Sequence, residues 1–488
     1  MLTLPARPSS GGRGVAKRRI FLSVVAGLWA EVANKFVPLA ILRFARLRLG
    51  VTGFGFSQFG MTLVDLFLPL VGFGYRNLTA IEIGRARGDR AVVRQVMSDV
   101  LALKLIHAAV ALAAMLGAVA LIPSYRPYLP IVLASSFVLF STAFDLTSVH
   151  IGTQRMLSVS VLSTVARLAS LTAIVLLVRG TGDTVVYAVL SLGAGSLVSL
   201  GTFVLSVRRY GLSRPRWGLL AGWFRKSAPF ALVFALMVAT DRFDMLLVER
   251  FFGVDGAGVY AAPWRMTQGL MPVIGTIAVV FLSELIPIGD RAEFTRHVEL
   301  GLWAVLAVIL PIAGGVWFVS ADLLRLITTD VTPEAATVLC TLVFGVAVQT
   351  LFTVFGLQIL LLRERVRTLN LVLAGGAAVG VAAGMWLAPR FGLVGIACAS
   401  LLVKSLVGIT VMVCARPFLS AMPWPAFART LLPASIMVMC LRTMALHGLA
   451  ENVCAGIAIY GPALAAFNPR KSAWVLKEMR VRLGIGRK

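Results

Sequence analysis

Long apolar runs limit the folds open to this chain more than any other feature. A helix that crosses the hydrocarbon core of a bilayer needs about 20 predominantly apolar residues. Twelve such runs stand between charged or Gly- and Pro-rich breaks, at residues 20–42, 57–75, 98–122, 128–152, 158–178, 184–207, 227–249, 258–286, 299–320, 335–361, 368–388 and 391–415. A weaker pair follows at residues 428–446 and 449–467. The sequence therefore predicts an all-α polytopic integral membrane protein with about fourteen transmembrane helices, which we call spans 1 to 14.

The composition excludes a water-soluble fold. Of the 488 residues, 59% are hydrophobic and only 14% are charged, with a mean hydropathy of +0.90, whereas soluble domains carry about 25% charged residues. The connections between the runs are too short to hold a catalytic domain. The five cysteines and four histidines are scattered, without CxxC or HExxH spacing, so we expect neither a metal site nor a cofactor.

The distribution of positive charge predicts an orientation. Of the 46 Lys and Arg residues, thirty fall on the side of the N-terminal tail, nine on the opposite side and seven within the spans. Because cytoplasmic loops are enriched in Lys and Arg, we expect both termini in the cytoplasm. The net charge of +25 then mainly reflects orientation and attraction to anionic membrane lipids. Nucleic acid is not an expected partner, because no motif or basic groove accompanies the charge.

Two halves of the chain repeat each other. Residues 50–55 (GVTGFG) recur as 253–258 (GVDGAG) at an offset of 203, and residues 88–91 (GDRA) recur as 289–292 at an offset of 201. Six helices are an even number, so both copies enter the membrane from the same side. The repeat is then parallel, with a pseudo-twofold axis along the membrane normal, an arrangement in which the binding site lies between the halves and access alternates by rocking.

These observations predict six segments. They are a basic cytoplasmic tail (1–19), an N-terminal six-helix repeat (20–210), a basic cytoplasmic linker (211–226), a C-terminal six-helix repeat (227–417), an extra helix pair (418–468) and a second basic tail (469–488). We call the two repeats the N-half and the C-half.

Cations inside the spans are the candidates for substrate binding, because a charge at mid-bilayer costs about 2.5–3.5 kcal/mol on insertion scales. Arg167, Arg265 and Lys404 lie several residues inside their helices, with no acidic residue three or four positions away. A cation in that position calls for a water-filled cavity or an anionic ligand. A diphosphate suits both residue types, since Arg offers a fork and Lys a point charge. Lys35, Arg242 and Lys104 complete the candidate set.

Acidic residues inside the spans are the candidates for coupling to proton or sodium flow. They are Glu31, Asp65, Asp145, Asp241 and Asp244. Glu31 precedes Lys35 by four residues, so the two could simply neutralise one another on one helix face. Asp241, Arg242 and Asp244 crowd one turn of span 7, where a local ion network and a binding site both fit the pattern.

Several segments of the chain resemble a known family of transporters. They are residues 53–60, 72–78 and 82–89 around span 2, residues 256–265 (GAGVYAAPWR) in span 8 and residues 389–397 (PRFGLVGIA) at the start of span 12. Over residues 20–417 the chain is similar to the Wzx-type O-antigen and exopolysaccharide flippases of the multidrug/oligosaccharidyl-lipid/polysaccharide (MOP) exporter superfamily.

The resemblance implies movement of undecaprenyl-diphosphate-linked oligosaccharide from the cytoplasmic to the periplasmic leaflet of the bacterial inner membrane. It also implies that cations in a central cavity hold the diphosphate, and that polysaccharide polymerase and assembly proteins are partners. Arg265 stands where the related lipid II flippase has an arginine, and Lys35 stands near another. Ile41 occupies the position of a further arginine of that flippase, which makes lipid II the less expected cargo.

Other functions remain open at this point. A cation-coupled multidrug or small-molecule exporter of the same superfamily fits the acid in span 1, Glu31, and a lipid II flippase fits the overall layout. A membrane-embedded glycosyltransferase or glycan polymerase needs a large periplasmic loop or an acidic motif in an early loop, and the chain has neither. We therefore expect a transporter rather than an enzyme.

Overall fold

The structure is a computed structural model that describes residues 12–86, 89–153, 156–272, 274–275, 277–278, 290–328, 331–444, 446 and 448–469. Side chains are described from Val37 onward, so those of Glu31 and Lys35 lie outside the described residues. Within this part of the chain all regular structure is helical, with no β-strand.

The helices follow one another with short connections. They are α1 (Gly12–Asp65), α2 (Leu68–Gly72), α3 (Tyr75–Arg85), α4 (Arg90–Leu121), α5 (Leu129–Ser135), α6 (Phe137–Ala143), α7 (Thr147–Gly152), α8 (Met156–Leu177), α9 (Thr184–Tyr210), α10 (Trp217–Gln268), α11 (Arg291–Arg325), α12 (Pro333–Leu351), α13 (Val366–Ala415), α14 (Trp424–Met444) and α15 (Leu449–Phe467). A π-helix, Phe352–Leu360, continues α12.

The three longest helices each contain a sharp break at a glycine. Gly50 in α1, Gly253 in α10 and Gly392 in α13 have φ values of 69°, 65° and 60°, in the left-handed region that glycine adopts without steric cost. Gly50 and Gly253 are the first residues of the two repeated GVxGxG blocks. The repeated motif is therefore a turn between two consecutive spans.

The breaks fold the chain back on itself. A Cβ added to Gly376 would touch Val407, and one added to Gly384 would touch Leu247 and, less closely, Ala399. The parts of α13 before and after Gly392 are thus antiparallel neighbours. By length and apolar composition, the described residues contain nine helices able to cross a membrane, or ten if the bent pair Pro123–Ser135 and Phe137–Gly152 is one span.

This count treats α13 as a single helix, although it folds back at Gly392. The prediction of an all-α polytopic membrane protein is confirmed. The number of fourteen spans and the division into six segments stay predictions.

The second helix of each half is interrupted at an equivalent place. A proline ring clashes with the carbonyl group four residues before it and cannot donate a hydrogen bond there. Pro69 follows Asp65, the last residue of α1, by four positions, and Pro272 follows Gln268, the last residue of α10, by the same number. Both the prolines and the helix ends are 203 residues apart. Interrupted helices of this kind line the substrate sites of many transporters.

The two halves meet where α1 crosses α10. A Cβ on Gly55 would overlap the carbonyl oxygen of Val254 and lie 2.9 Å from the Cα of Gly258, whereas a Cβ on Gly258 would overlap the carbonyl oxygen of Val51. Gly55 and Gly258 are themselves equivalent positions of the repeat. The crossing therefore sits on the pseudo-twofold axis that the repeat predicts.

The C-terminal helices α14 and α15 pack against each other and against α11. The hydroxyl of Tyr460 in α15 donates a hydrogen bond of 2.9 Å to the carbonyl oxygen of Ala307 in α11. The extra helix pair is thus attached to the outside of the C-half rather than inserted between the halves.

Candidate functional site

An ion pair joins the two halves next to the interruption of span 2. Nη2 of Arg242 lies 2.9 Å from Oδ2 of Asp65, and the two side chains are 19% and 18% exposed. Asp65 ends α1 in the N-half, while Arg242 belongs to α10 in the C-half. The pair is therefore largely enclosed by protein, and it must separate if the halves move apart here.

A second contact crosses the same interface. Nε of Arg265 donates a hydrogen bond of 2.6 Å to Oε1 of Gln58, and Nε2 of Gln58 donates one of 3.2 Å to the hydroxyl oxygen of Tyr187. The buried Gln58 thus connects a C-half guanidinium to α9 of the N-half. Arg265 has no acidic neighbour along its own helix, and its hydrogen-bond partner is instead an uncharged side chain 207 positions away.

The indole of Trp264 holds the two guanidinium groups in one neighbourhood. Cζ of Arg242 lies 4.3 Å and Cζ of Arg265 lies 5.6 Å from the ring centroid, within the range of a cation–π interaction. Nη1 of Arg242 is buried and has no hydrogen-bond partner among the described residues. We call Asp65, Arg242, Trp264, Arg265 and Gln58 the central cluster.

The central cluster has the electrostatics of an anion site. Two guanidinium groups face a single carboxylate there, and Gln58 is neutral, so the cluster retains excess positive charge. A guanidinium presents several N–H donors in a rigid fork that matches carboxylate and phosphate oxygens. The unsatisfied Nη1 of Arg242 leaves part of that fork available to a ligand.

A second polar group lies deeper in the C-half, around a cavity of about 20 Å³. Asp241, Gln349 and Lys404 contribute its polar lining, and Nε2 of Gln349 donates a hydrogen bond of 3.3 Å to Oδ1 of Asp241. The volume suits about one water molecule. The side chain of Lys404 also packs against Gly345, because a Cβ added to Gly345 would lie 3.2 Å from Cδ of Lys404.

The charged residues in one turn of span 7 contact three different elements. Arg242 pairs with Asp65 in α1, Asp241 accepts from Gln349 in α12, and the buried Asp244 accepts a hydrogen bond of 3.0 Å from the hydroxyl of Tyr260. Asp244 also lies within electrostatic range of Lys404. This turn of α10 therefore contributes Arg242 to the central cluster, and Asp241 and Asp244 to the interior of the C-half.

Lys104 and Asp145 make a separate contact inside the N-half. Nζ of Lys104, which is buried, donates a hydrogen bond of 2.6 Å to the backbone oxygen of Asp145, and the Asp145 carboxylate accepts one of 2.9 Å from the N–H of Thr147. Arg167 is half-buried on α8 and has a partner of its own. The described contacts do not connect these three residues to the central cluster.

Three residues of this site were missed by reasoning from charge alone. Gln58, Trp264 and Tyr187 are uncharged and lie in apolar runs, so a search for intramembrane charges passes over them. A polar amide within the apolar run of span 2 is a usable signal, because a buried amide needs hydrogen-bond partners. The position of Trp264 directly before Arg265 is a weaker one.

Two helical halves that meet at a partly enclosed cationic site define a multi-pass membrane transporter. The model of the family described as "Polysaccharide biosynthesis protein" matches residues 28–288, more than half of the chain. The chain belongs to this family, and the resemblance to Wzx-type members of the MOP superfamily is confirmed at that level. Comparison with curated proteins finds no matching sequence.

Solved structures share the fold at low sequence identity. The lipid II flippase MurJ in an inward closed conformation is 12% identical with a TM-score of 0.70, over 92% of this chain and 99% of that one. An inward-facing multidrug resistance MATE family transporter of the MOP superfamily is 16% identical with a TM-score of 0.61, over 80% of this chain and 94% of that one. A MATE structure in a bent conformation is 17% identical with a TM-score of 0.52, over 81% of this chain and 96% of that one.

Proposed function

We propose that this protein moves a polyprenyl-diphosphate-linked oligosaccharide, with undecaprenyl as the lipid, from the cytoplasmic to the periplasmic leaflet of a bacterial inner membrane. The movement occurs by alternating access and serves O-antigen or exopolysaccharide synthesis. Membership of the polysaccharide biosynthesis family supports the class of cargo, and the all-helical transporter fold supports the mode of movement.

The observation that carries the proposal is the pair of guanidinium groups at the interface between the halves. Arg242 and Arg265 both lie against Trp264, and their N-half partners, Asp65 and Gln58, are on α1. A diphosphate bound there contacts two guanidinium groups of the C-half at the surface that faces the N-half. A neutral drug would leave one positive charge of the cluster without a counter-charge inside the membrane-spanning region, so the cluster favours an anionic cargo.

The remaining candidates take supporting roles in this proposal. Lys404, Lys35, Arg167 and Lys104 extend the cationic surface toward the rest of the diphosphate or toward acidic sugars. Asp241, Asp244, Asp145 and Glu31 are the candidates for coupling to a proton or sodium gradient. Both termini lie in the cytoplasm in this scheme, and a polysaccharide polymerase receives the translocated product.

The test is Arg265→Ala in a strain that lacks the chromosomal gene. We expect surface polysaccharide to be lost and lipid-linked oligosaccharide to accumulate, while the variant reaches the membrane at wild-type level. Arg250→Ala is the matched control, because Arg250 is an exposed cation of the same helix, α10, and it should support normal export. Wild-type export by Arg265→Ala would refute the proposal.

If the protein is instead a small-molecule exporter, we expect the opposite pattern. Deletion of its gene changes drug resistance and leaves lipid-linked oligosaccharide at its normal level. Measuring both quantities in the deletion strain therefore separates the two functions without any variant.

A further inference from the structure

The carboxylate of Asp65 occupies the side of Arg242 that an anionic ligand would use. The pair is close, at 2.9 Å, and both side chains keep nearly a fifth of their surface exposed. The remaining nitrogen, Nη1, is buried without a hydrogen-bond partner in the described part of the chain. Arg242 is thus only partly satisfied by its protein partner, because Nη2 contacts Asp65 while Nη1 contacts no acceptor among the described residues.

We propose that Asp65 is a built-in competitor of the anionic substrate. Its carboxylate holds Arg242 in the ligand-free protein and thereby latches the N-half to the C-half, and the diphosphate releases the latch by taking its place. This inference rests on the proposed function, because it assumes a diphosphate as the ligand of the central cluster.

The charge balance of the cluster supports displacement rather than addition. Two guanidinium groups and one carboxylate leave one net positive charge, too little for a diphosphate that carries at least two negative charges. Once Asp65 withdraws, Arg242 and Arg265 match the ligand. A diphosphate also offers more oxygens than one carboxylate, so it is able to engage Nη1 and Nη2 of Arg242 together with Arg265.

The position of Asp65 makes withdrawal mechanically simple. It is the last residue of α1, followed by the interruption before α2 (Leu68–Gly72), so the chain here is not held by a continuous helix on both sides. Arg242 is fixed in the middle of α10 and stacked on Trp264. The carboxylate is therefore the partner that moves, while the guanidinium stays in place for the ligand.

The latch links ligand binding to motion of the halves. If the halves separate without a ligand, Arg242 and Asp65 are both left without their counter-charge in a largely enclosed site, which is unfavourable. A bound diphosphate supplies Arg242 with another partner before the halves part. Separation of the halves without a bound ligand is thus suppressed, and the halves move apart after the ligand has bound.

Binding of farnesyl diphosphate to the purified full-length protein in detergent tests the competition, with farnesol as the control for the lipid tail. We expect Asp65→Asn to bind farnesyl diphosphate at least tenfold more tightly than the wild type, with farnesol binding unchanged. In an Arg242→Gln background the gain from Asp65→Asn should vanish, because the competitor no longer has a target.

A distance measurement tests the latch without ligand, with farnesyl diphosphate binding by the same labelled variant as the check that it is folded. Spin labels go at the exposed Arg90 and Arg367 in a cysteine-free background, at the end of the bundle where Gly74 packs on Phe230 and Asn370 donates to the carbonyl of Pro229. We expect a longer and broader distance in ligand-free Asp65→Asn, and the same lengthening in wild type upon addition of farnesyl diphosphate.

The outcomes separate this inference from the proposed function. If wild type binds farnesyl diphosphate but Asp65→Asn gains no affinity, the competition is overturned while the proposed function stands. If neither protein prefers farnesyl diphosphate to farnesol, the proposed function fails and the competition with it. An unchanged distance in folded Asp65→Asn overturns the latch.

Discussion

Replacing Gly258 with alanine will push the two halves apart at their closest crossing. The added Cβ overlaps the carbonyl oxygen of Val51 and lies 3.0 Å from its carbonyl carbon, whereas carbon atoms prefer separations of about 3.5–4.0 Å. The obstructing atoms belong to the backbone of α1, so no side chain is able to rotate away. Because the overlap with the oxygen is the tighter of the two contacts, the crossing must open by about 1 Å.

The expected size of the effect follows from overpacking. Extra methyl groups in close-packed sites cost about 1–3 kcal/mol, and here the cost falls only on states in which the halves touch at Gly55 and Gly258. An energy of that size shifts a two-state equilibrium by about 5- to 150-fold. The population with the halves separated at this end should rise by that factor.

Double electron–electron resonance between spin labels provides the assay. Arg48 and Phe251 are exposed and equivalent in the repeat, so labels there report the separation of the halves near the crossing. Gly117→Ala is the matched control, because Gly117 lies within α4, near its C-terminal end, with open space around its Cβ position. A folded Gly258→Ala protein with the wild-type distance distribution would refute the reasoning.

Three further predictions concern other contacts. Asp99, fully buried, accepts hydrogen bonds of 2.7 and 2.8 Å from the side chain and backbone N–H of Arg216, so Asp99→Ala should cost about 2–4 kcal/mol and lower the thermal midpoint in detergent; an unchanged midpoint contradicts this. Trp264→Leu removes the ring under Arg242 and should weaken farnesyl diphosphate binding about 2- to 30-fold, with Trp264→Phe intermediate; equal affinity of all three proteins argues against a cation–π role. Backbone N–H groups of the loop before α9 hold the pKa of Asp183 below its ordinary value of 3.8, so its stabilisation of this loop is complete above that value and is lost as pH falls through the lowered pKa. Asp183→Asn should therefore speed hydrogen exchange of residues 179–187 at pH 7, while wild-type protection, after correction for intrinsic exchange, stays constant between pH 5 and 7.

The helical architecture was predictable because each span is determined by residues that are adjacent in the sequence. An apolar run of about 20 residues crosses a bilayer whatever its neighbours are, and a motif such as GVxGxG repeats where the backbone needs a left-handed glycine. The interruptions after Asp65 and Gln268 were equally predictable from Pro69 and Pro272. These two prolines are 203 residues apart, as are the two GVxGxG blocks.

The site was predictable only in its charged members. Arg242 and Arg265 stand out because a cation inside an apolar run is costly, and both belong to the central cluster. The pairing does not stand out, even though Asp65 was a candidate acid, since Asp65 and Gln58 lie 177 and 207 positions away from their partners in sequence, and no periodicity within a helix encodes a contact across two halves. Lys104 shows the converse, because its buried charge stands out in the sequence but binds a backbone carbonyl of its own half, outside the central cluster.

The glycine crossing sets how far Asp65 moves when α1 turns while the halves still touch at Gly55 and Gly258. Asp65 lies ten residues beyond Gly55 along the same helix, a distance of about 15 Å at 1.5 Å per residue. A rotation of α1 by about 10° around the closed crossing displaces Asp65 by about 3 Å, which is comparable to the whole Asp65–Arg242 separation. A small rotation is therefore enough to break the charge contact before the crossing itself opens.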